Sequence, residues 1–181
     1  MSDNQKINQT PIGPKAKTLF WFKKNKIKTP KFTIVNPTDY IPNYDEFLIK
    51  QNRLFQKKYF KTVQKNILKI KFKNDLETKV DNLKKRFDKP VCFRTSANKE
   101  DASKHSFAGL YDSFINIELN LKNFKFYFKK CLLSLFSKRV YLYLDKNKIE
   151  KNNLNLSIII QEYFKGEYSG VAFANYPLNN S

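Results

Sequence analysis

The stretch from Glu46 to Phe87 contains neither glycine nor proline, and this restricts the folds open to the chain more than any other feature. Its apolar residues recur about four positions apart, as at Tyr59, Val63 and Ile67. That spacing places them on one face of a helix, with the charged residues between them facing water. We predict two amphipathic helices in this stretch, with a break near Asn74.

Segments typical of strands lie on both sides of this helical stretch. They are β-branched or alternating in polarity, and Pro37 closes the first of them. We predict strands over residues 31–36, 91–94, 111–117, 154–161 and 169–175, with the last two joined as a hairpin. A short helix near residues 13–22 and a long amphipathic helix over 123–144 complete the pattern. The sequence therefore predicts an α+β fold, preceded by a flexible polar N-terminus over residues 1–12.

The charge of the chain is strongly positive, with 35 Lys and Arg against 16 Asp and Glu and a formal net charge of +19. Such a charge favours nucleic-acid binding where the cations are clustered, because phosphate contacts release counterions. Here lysines occur in almost every segment, and only four of the basic residues are arginines. The dispersed pattern indicates solvated lysine faces, so nucleic-acid binding stays an alternative rather than the main prediction.

Cysteine use and hydropathy indicate a chain of the cytoplasm without a membrane segment. Cys92 and Cys131 each lie among apolar residues in predicted elements, which is typical of core thiols. They form no CxxC pair and no cluster with His105, so neither a zinc site nor a disulfide is predicted. No apolar run approaches the ~18 residues of a membrane span. We expect a reducing compartment, the cytoplasm.

One block carries the chemistry of a phosphate site. A compact predicted strand brings Arg94 to its end, and the loop from Thr95 to Gly109 holds several hydroxyl side chains. Arginine presents a planar, permanently charged group that matches phosphate oxygens, and a glycine lets the backbone approach an anion closely. With four arginines and four glycines in 181 residues, composition alone does not account for this grouping.

The motifs in and after this block resemble those of a known family. They are Arg94-Thr-Ser-Ala97, Glu100-Asp101, Ser106-Phe-Ala-Gly109, Asp112-Ser113, Lys130-Cys131, Ser134-Leu-Phe136, Arg139, Ile160-Gln161 and Ser169-Gly-Val-Ala-Phe173. In this order and spacing they resemble the N-terminal ATP-binding domain of the phosphoenolpyruvate synthase and pyruvate phosphate dikinase family. The resemblance is clear over residues 90–178 and weaker over 13–36, and residues 13–181 are interpreted as a partial copy of that domain.

The resemblance implies an incomplete ATP-grasp-like domain whose two α+β lobes hold ATP between them. It implies that Arg94 binds phosphate, that Gly109 and Ser113 contact the nucleotide from a loop, and that Gln161 lies near the adenine and ribose. The family supplies a phosphate-binding lysine from an N-terminal Gly-Gly-Lys, for which Lys15 in Gly13-Pro-Lys15 is the nearest match. Lys17 is the alternative lysine.

Each of these residues also has a purely structural interpretation. Arg94 could pair with Glu100 or Asp101 at the edge of the core, Gly109 could serve only a turn, and Gln161 could be an ordinary amide at a strand end. Phe107 is interpreted as a packing residue rather than as part of an adenine pocket.

The resemblance further implies a reaction that this chain would share with other domains. The family takes its Mg²⁺ ligands from a segment after the Ser-Gly-Val strand, so we expect those ligands outside this chain. The phosphohistidine and phosphoenolpyruvate or pyruvate domains are expected elsewhere too, on another domain or on a second chain. The predicted function is the ATP-binding portion of a dikinase-type phosphotransferase. A degenerate or regulatory nucleotide-binding module without turnover is the alternative.

Overall fold

The computed structural model describes residues 13–101, 107, 109–168 and 170. Its helices are α1 (Pro14–Lys24), α2 (Pro37–Tyr40), α3 (Tyr44–Gln56), α4 (Phe60–Leu68), α5 (Leu76–Lys84), α6 (Leu121–Leu135) and α7 (Lys138–Lys146). Its strands are β1 (Phe32–Val35), β2 (Val91–Ala97), β3 (Ser113–Ile117) and β4 (Leu156–Glu162). A 3₁₀ turn, Asn98–Asp101, follows β2.

The four strands form one antiparallel sheet in the order β1-β4-β2-β3. Only β2 and β3 are neighbours both in the sheet and in the chain. The other pairs, β1 with β4 and β4 with β2, join strands that are far apart in the sequence, with helices between them. Helices combined with an antiparallel sheet make an α+β fold, which confirms the predicted class. The two central strands, β2 and β4, pair along seven residues from Val91 opposite Glu162 to Ala97 opposite Leu156.

One face of the sheet packs against α6 and builds the main core. Phe93 of β2 and Ile160 of β4 face each other in the register and are fully buried in this cluster. Phe93 contacts Phe124 and Tyr127 of α6, with ring centroids 6.1 and 5.7 Å apart. Burying large aromatic side chains supplies most of the hydrophobic stabilisation of such a core.

The opposite face of the sheet carries a smaller apolar cluster under α1. Ala16 and Leu19 of α1 pack on Ile159 of β4, and all three are buried. Because alternate residues of a strand point to opposite faces, Ile159 and its register partner Arg94 lie on this α1 face. Strand β2 therefore sends Phe93 into the main core and Arg94 to the other side.

The helical stretch contains three helices, α3, α4 and α5, so the prediction of two helices was wrong. The break near Asn74 is confirmed, but a second break separates α3 from α4. There Lys58 adopts φ 63° and the N–H of Tyr59 donates to the carbonyl of Leu54 at 3.0 Å. This is a helix end of the kind that glycine usually forms, and a lysine in that place gives no sequence signal.

The predicted helix over 123–144 is also divided in two. Ser137 caps α7, since its side chain accepts a hydrogen bond from the N–H of Val140 at 3.2 Å. This cap was readable in the sequence as a serine ahead of an apolar run. The short N-terminal helix and four of the predicted strands are confirmed, with shifts of their ends. The fifth predicted strand, over 169–175, and the flexible N-terminus, over 1–12, lie outside the described residues except for Gly170, which is in neither helix nor strand.

Across the part of the chain that the structure describes, no helix has the length and apolar character needed to cross a membrane.

Candidate functional site

Arg94 and Gln161 meet on the α1 face of the sheet. The Arg94 guanidinium donates from Nη1 to the Gln161 Oε1 at 2.9 Å. Gln161 is buried, with 9% of it exposed, and Arg94 is half-buried, so the hydrogen bond holds a guanidinium that is still partly exposed. A guanidinium has five N–H donors, and one bond to an amide leaves donors for the two oxygens of a phosphate.

Ser113 and Cys92 flank this pair on the same surface. Ser113 lies opposite Arg94 in the pairing of β2 with β3, and Cys92 lies opposite Gln161 in the pairing of β2 with β4. Ser113 is exposed and Cys92 is half-buried. Burial raises the pKa of the Cys92 thiol, and the charge of Arg94 opposes this only in part, so the thiol is neutral at pH 7.

Gly13 lets the start of α1 approach β2 more closely than any other residue type would. A Cβ at this position would lie 2.6 Å from the carbonyl oxygen of Ala97 and 2.6 Å from the Oγ of Ser96. The Ser96 hydroxyl in turn accepts a hydrogen bond from the N–H of Ala16 at 3.2 Å. The first turn of α1 is thereby fixed against the end of β2.

Lys15 stands on this first turn and is held by Glu100. Its Nζ lies 2.7 Å from the Glu100 Oε1 and donates to the carbonyl of Thr95 at 3.3 Å. The Glu100 side chain is 4% exposed whereas that of Lys15 is 35% exposed, so the carboxylate is the more deeply buried partner. The lysine ammonium also lies 5.9 Å from the centre of the Tyr111 ring.

Gly109 occupies a turn that the helical side of the molecule anchors. It has φ 69°, a conformation that glycine adopts without strain, and the N–H of Leu110 donates to the carbonyl of Phe107 at 3.1 Å. Arg139 donates to the carbonyl of Leu110 at 2.7 Å and to the Asp112 Oδ1 at 2.8 Å. Arg139 therefore holds the exit of the turn through Leu110 and Asp112.

The structure brings the predicted residues together in two groups. Arg94, Gln161 and Ser113 lie on adjacent strands, while Lys15 contacts the carbonyl of Thr95 within β2 and lies beside Tyr111 in the segment after Gly109. Phe107 is buried and stacks on Tyr111 with ring centroids 6.5 Å apart, which confirms its packing role.

Sequence reasoning missed the partners that hold these residues. Glu100 was considered as a partner of Arg94, but it forms its ion pair with Lys15. Asp112 and Arg139 were matched to a motif without a role, yet together they fix the turn after Gly109. The rarity of arginine in this chain was a signal that could have singled out Arg139.

The described residues offer ligands for an anion. Among them, no three His, Cys, Asp or Glu side chains come together as a group that could hold a metal ion. The donors of Arg94, Lys15 and Gln161 do fit the oxygens of a phosphate or a polar edge of a nucleotide.

Comparison with known proteins gives one family for most of the chain. Residues 13–181 match the family described as "Pyruvate phosphate dikinase, AMP/ATP-binding domain". A probable phosphoenolpyruvate synthase of Methanothermobacter thermautotrophicus is 33% identical over 87 residues, which are 48% of this chain and 13% of that protein. A rifampicin phosphotransferase of Bacillus cereus is 33% identical over 88 residues, which are 49% of this chain and 10% of that protein.

A longer match includes the helical stretch. An uncharacterized phosphotransferase of Bacillus subtilis, YvkC, is 29% identical over 153 residues, which are 77% of this chain and 18% of that protein. In each of these three relatives the matched region is less than a fifth of the whole protein.

Proposed function

This chain belongs to the pyruvate phosphate dikinase AMP/ATP-binding domain family, and from that premise we propose that it is the ATP-binding part of a dikinase-type phosphotransferase. In this proposal a histidine on another domain or chain receives the phosphoryl group. The observation that carries it is the contact of Arg94 with Gln161 on the α1 face, where a cationic fork and an amide are fixed side by side. The names of the relatives, a phosphoenolpyruvate synthase and a phosphotransferase, agree with this reaction class.

Arg94 is the proposed phosphate ligand. Its contact with Gln161 fixes the plane of the guanidinium before any ligand arrives, which lowers the entropy lost on binding. Gln161 orients the arginine and offers its amide to the base or ribose, and the exposed hydroxyl of Ser113 adds a directional donor on the adjacent strand. Gly109 is proposed to leave its turn open to a ligand, since no described residue lies within 4 Å of the position that a Cβ would take there.

Lys15 is the proposed second cation for the phosphates. In the structure it is paired with Glu100, so a triphosphate must compete with, or share, that carboxylate. The ammonium is anchored near the end of β2 and keeps one further N–H donor, because Lys Nζ has three and two are taken by Glu100 and the carbonyl of Thr95. The Lys15 ammonium is held in place by Glu100 and is still partly exposed. Such a group is suited to bind a charged ligand transiently.

The wider architecture forms part of the same proposal. We propose that the complete domain has two lobes in an ATP-grasp-like arrangement, of which the described sheet and its helices are one part. The Mg²⁺ that bridges phosphates in such reactions would take its ligands from elsewhere. Both cysteines are free, which fits a reducing cytoplasm as the place of action.

The first test is calorimetric titration of the chain with ATP in the presence of Mg²⁺. Arg94→Ala removes the phosphate ligand, and we expect ATP affinity to fall about 10- to 100-fold, the effect of losing a charge-assisted hydrogen bond. Arg53→Ala, an exposed arginine on α3, is the matched control and should bind ATP as the wild type does. Equal affinity in wild type and Arg94→Ala would refute the proposed site.

The second test addresses phosphoryl transfer. The chain is mixed with a protein that carries a phosphohistidine domain and with ATP labelled on its β- and γ-phosphates, and acid-labile phosphohistidine is measured. We expect transfer that depends on Arg94. ATP binding without transfer to any such domain would favour a degenerate or regulatory module instead.

A further inference from the structure

A concave surface lies among the helices that cover the face of the sheet opposite Arg94. Its first part is a cavity of about 520 Å³ between the α4–α5 connection and α6. Its second part is a cavity of about 320 Å³ between the same connection and α3. The two cavities share Ile70 and Lys71, so they form one continuous depression, which we call the lysine groove.

Lysines dominate the rim of the lysine groove. The first cavity is lined by four of them and the second by three, with one in common: Lys50, Lys69, Lys71, Lys73, Lys125 and Lys129. The single acidic residue that lines either cavity is Glu77. In the described part of the chain none of the six lysines has an ion-pair partner within 4 Å, whereas lysines elsewhere, such as Lys79 and Lys151, pair with aspartates.

Two of these lysines are held in fixed positions by the backbone. Lys73 donates from Nζ to the carbonyl of Thr38 at 2.8 Å, and Lys129 donates from Nζ to the carbonyl of Leu68 at 2.7 Å. Burial lowers the pKa of Lys129, and repulsion from Lys125 lowers it further. The groove therefore gathers six lysines beside one lining carboxylate, that of Glu77, while Asp75 attracts Lys73 from beyond ion-pair distance. The repulsion between Lys125 and Lys129 is a cost that a bound anion would relieve.

The floor of the groove is apolar. Ile70 and Leu76 are buried, Phe72 is half-buried and packs edge-on against Phe128, and Phe47 lines the second cavity. A purely phosphate-bearing ligand would use the lysines but not this floor. A peptide in which carboxylates alternate with apolar side chains would use both, because apolar contact and charge complementarity then act together.

We propose that the lysine groove docks an acidic, apolar-containing peptide segment of a partner protein. The two joined cavities suit an extended segment better than a compact ligand, and their six lysines complement its carboxylates. The surface is remote from Arg94, so this docking does not depend on the proposed nucleotide site.

The test uses fluorescence anisotropy with a labelled 12-residue peptide of alternating Glu and Leu, and the same peptide with Gln for Glu. We expect the acidic peptide to bind and the Gln peptide to bind at least about tenfold more weakly. Lys71→Gln/Lys125→Gln removes two exposed cations of the groove and should weaken binding about five- to tenfold, the effect of two exposed charge pairs. Both residues are exposed, so folding should be unaffected.

The matched control is Lys24→Gln/Lys28→Gln, which removes the same charge from exposed positions at and beyond the end of α1. It should change peptide affinity by less than about twofold if the groove is specific. Equal losses in both double variants would overturn the proposal and indicate diffuse attraction. In the Arg94→Ala variant, displacement of the labelled peptide by a single-stranded oligonucleotide or by tripolyphosphate at lower concentrations than by unlabelled acidic peptide would also overturn it. Arg94→Ala should leave peptide binding unchanged, which separates this proposal from the nucleotide site.

Discussion

The two faces of the sheet differ in composition and burial although the same strands form both. On the α6 face, Phe93, Ile158 and Ile160 are fully buried in one large apolar core. On the α1 face, the next residues along the same strands include Arg94 and Gln161, joined by a hydrogen bond in a half-open surface. Since strand residues alternate, β2 and β4 can place packing on one side and chemistry on the other.

The difference teaches that stability and binding are separable in this molecule. Helices α3 to α7 cluster on the core side, and α1 with its small apolar cluster covers only part of the other side. Substitutions on the core face should therefore act on folding, and substitutions of exposed or half-buried groups on the α1 face should act on ligand binding. The predictions that follow test that separation.

The largest effect is expected from Phe93→Ala. The side chain is fully buried and contacts two rings of α6, so its loss should lower the free energy of unfolding by about 3–5 kcal/mol. Urea denaturation followed by circular dichroism measures this. Phe126→Ala on the same helix is the control, since that ring is 53% exposed and should matter far less. A loss below about 1 kcal/mol for Phe93→Ala would contradict the assignment of the core face.

Thiol labelling compares the two faces directly, because each holds one cysteine. Cys131 is fully buried and burial raises its pKa to about 12, so little thiolate forms at pH 8. Cys92 is half-buried, and its pKa is raised by a smaller degree of burial. We expect Ellman's reagent to label Cys92 at least about a hundredfold faster than Cys131 in the native protein. The rate depends on the fraction of each thiol that is ionised and on the exposure of its sulfur atom to the reagent.

The pH dependence of this labelling follows from the same shifts. A raised thiol pKa means that the rate should keep increasing above the ordinary cysteine range rather than levelling off near pH 9. The single-cysteine variants Cys92→Ser and Cys131→Ala assign each rate to its residue. Equal rates for the two thiols would show that the faces do not differ in access.

Gly13→Ala tests the close approach of α1 to the sheet. The added Cβ would lie 2.6 Å from backbone and side-chain atoms at the end of β2, so α1 must shift. We expect a loss of about 1–3 kcal/mol in unfolding free energy, as for other overpacked contacts. ATP affinity should fall as well, because the shift moves Lys15. Urea denaturation measures the free energy of unfolding of this variant. A value equal to that of the wild type would contradict the close approach of α1 to β2.

The smallest effect is a gain. Lys58 ends α3 with φ 63°, a left-handed conformation that glycine adopts more readily. Lys58→Gly should raise the free energy of unfolding by about 0.5–1 kcal/mol. This is the backbone strain that glycine removes from the folded state, minus the conformational entropy that glycine adds to the unfolded state. Lys57→Gly at the adjacent position, whose φ is −82°, is the control and should not stabilise. A loss of stability in Lys58→Gly would contradict this helix end.

The core face was predictable from the sequence because its signals are local. Helical spacing and alternating apolar residues located α4 to α6 and the central strands, and the α+β class followed. The helix ends were missed where lysine replaces glycine: Lys26, Lys58 and Lys148 all have positive φ and close α1, α3 and α7. A rule that expects glycine at such ends fails in a chain with four glycines.

The α1 face was predictable only in its residue types. The motifs identified Arg94, Gln161 and Lys15, but no pattern in the sequence shows which partner each one takes. Lys15 and Glu100 are 85 positions apart, and Arg94 and Gln161 are 67 apart. Contacts over such distances depend on the sheet order and register, which local spacing does not contain.

Hydrogen exchange with and without ATP tests the central claim most directly, because it reports both faces in one measurement. We predict that ATP with Mg²⁺ slows amide exchange in residues 91–97 and 109–117, around Arg94 and Gly109, and leaves α4 and α5 unchanged. Arg94→Ala should abolish that protection. Protection confined to α4 and α5, or the same protection in Arg94→Ala as in the wild type, would contradict a nucleotide site on the α1 face.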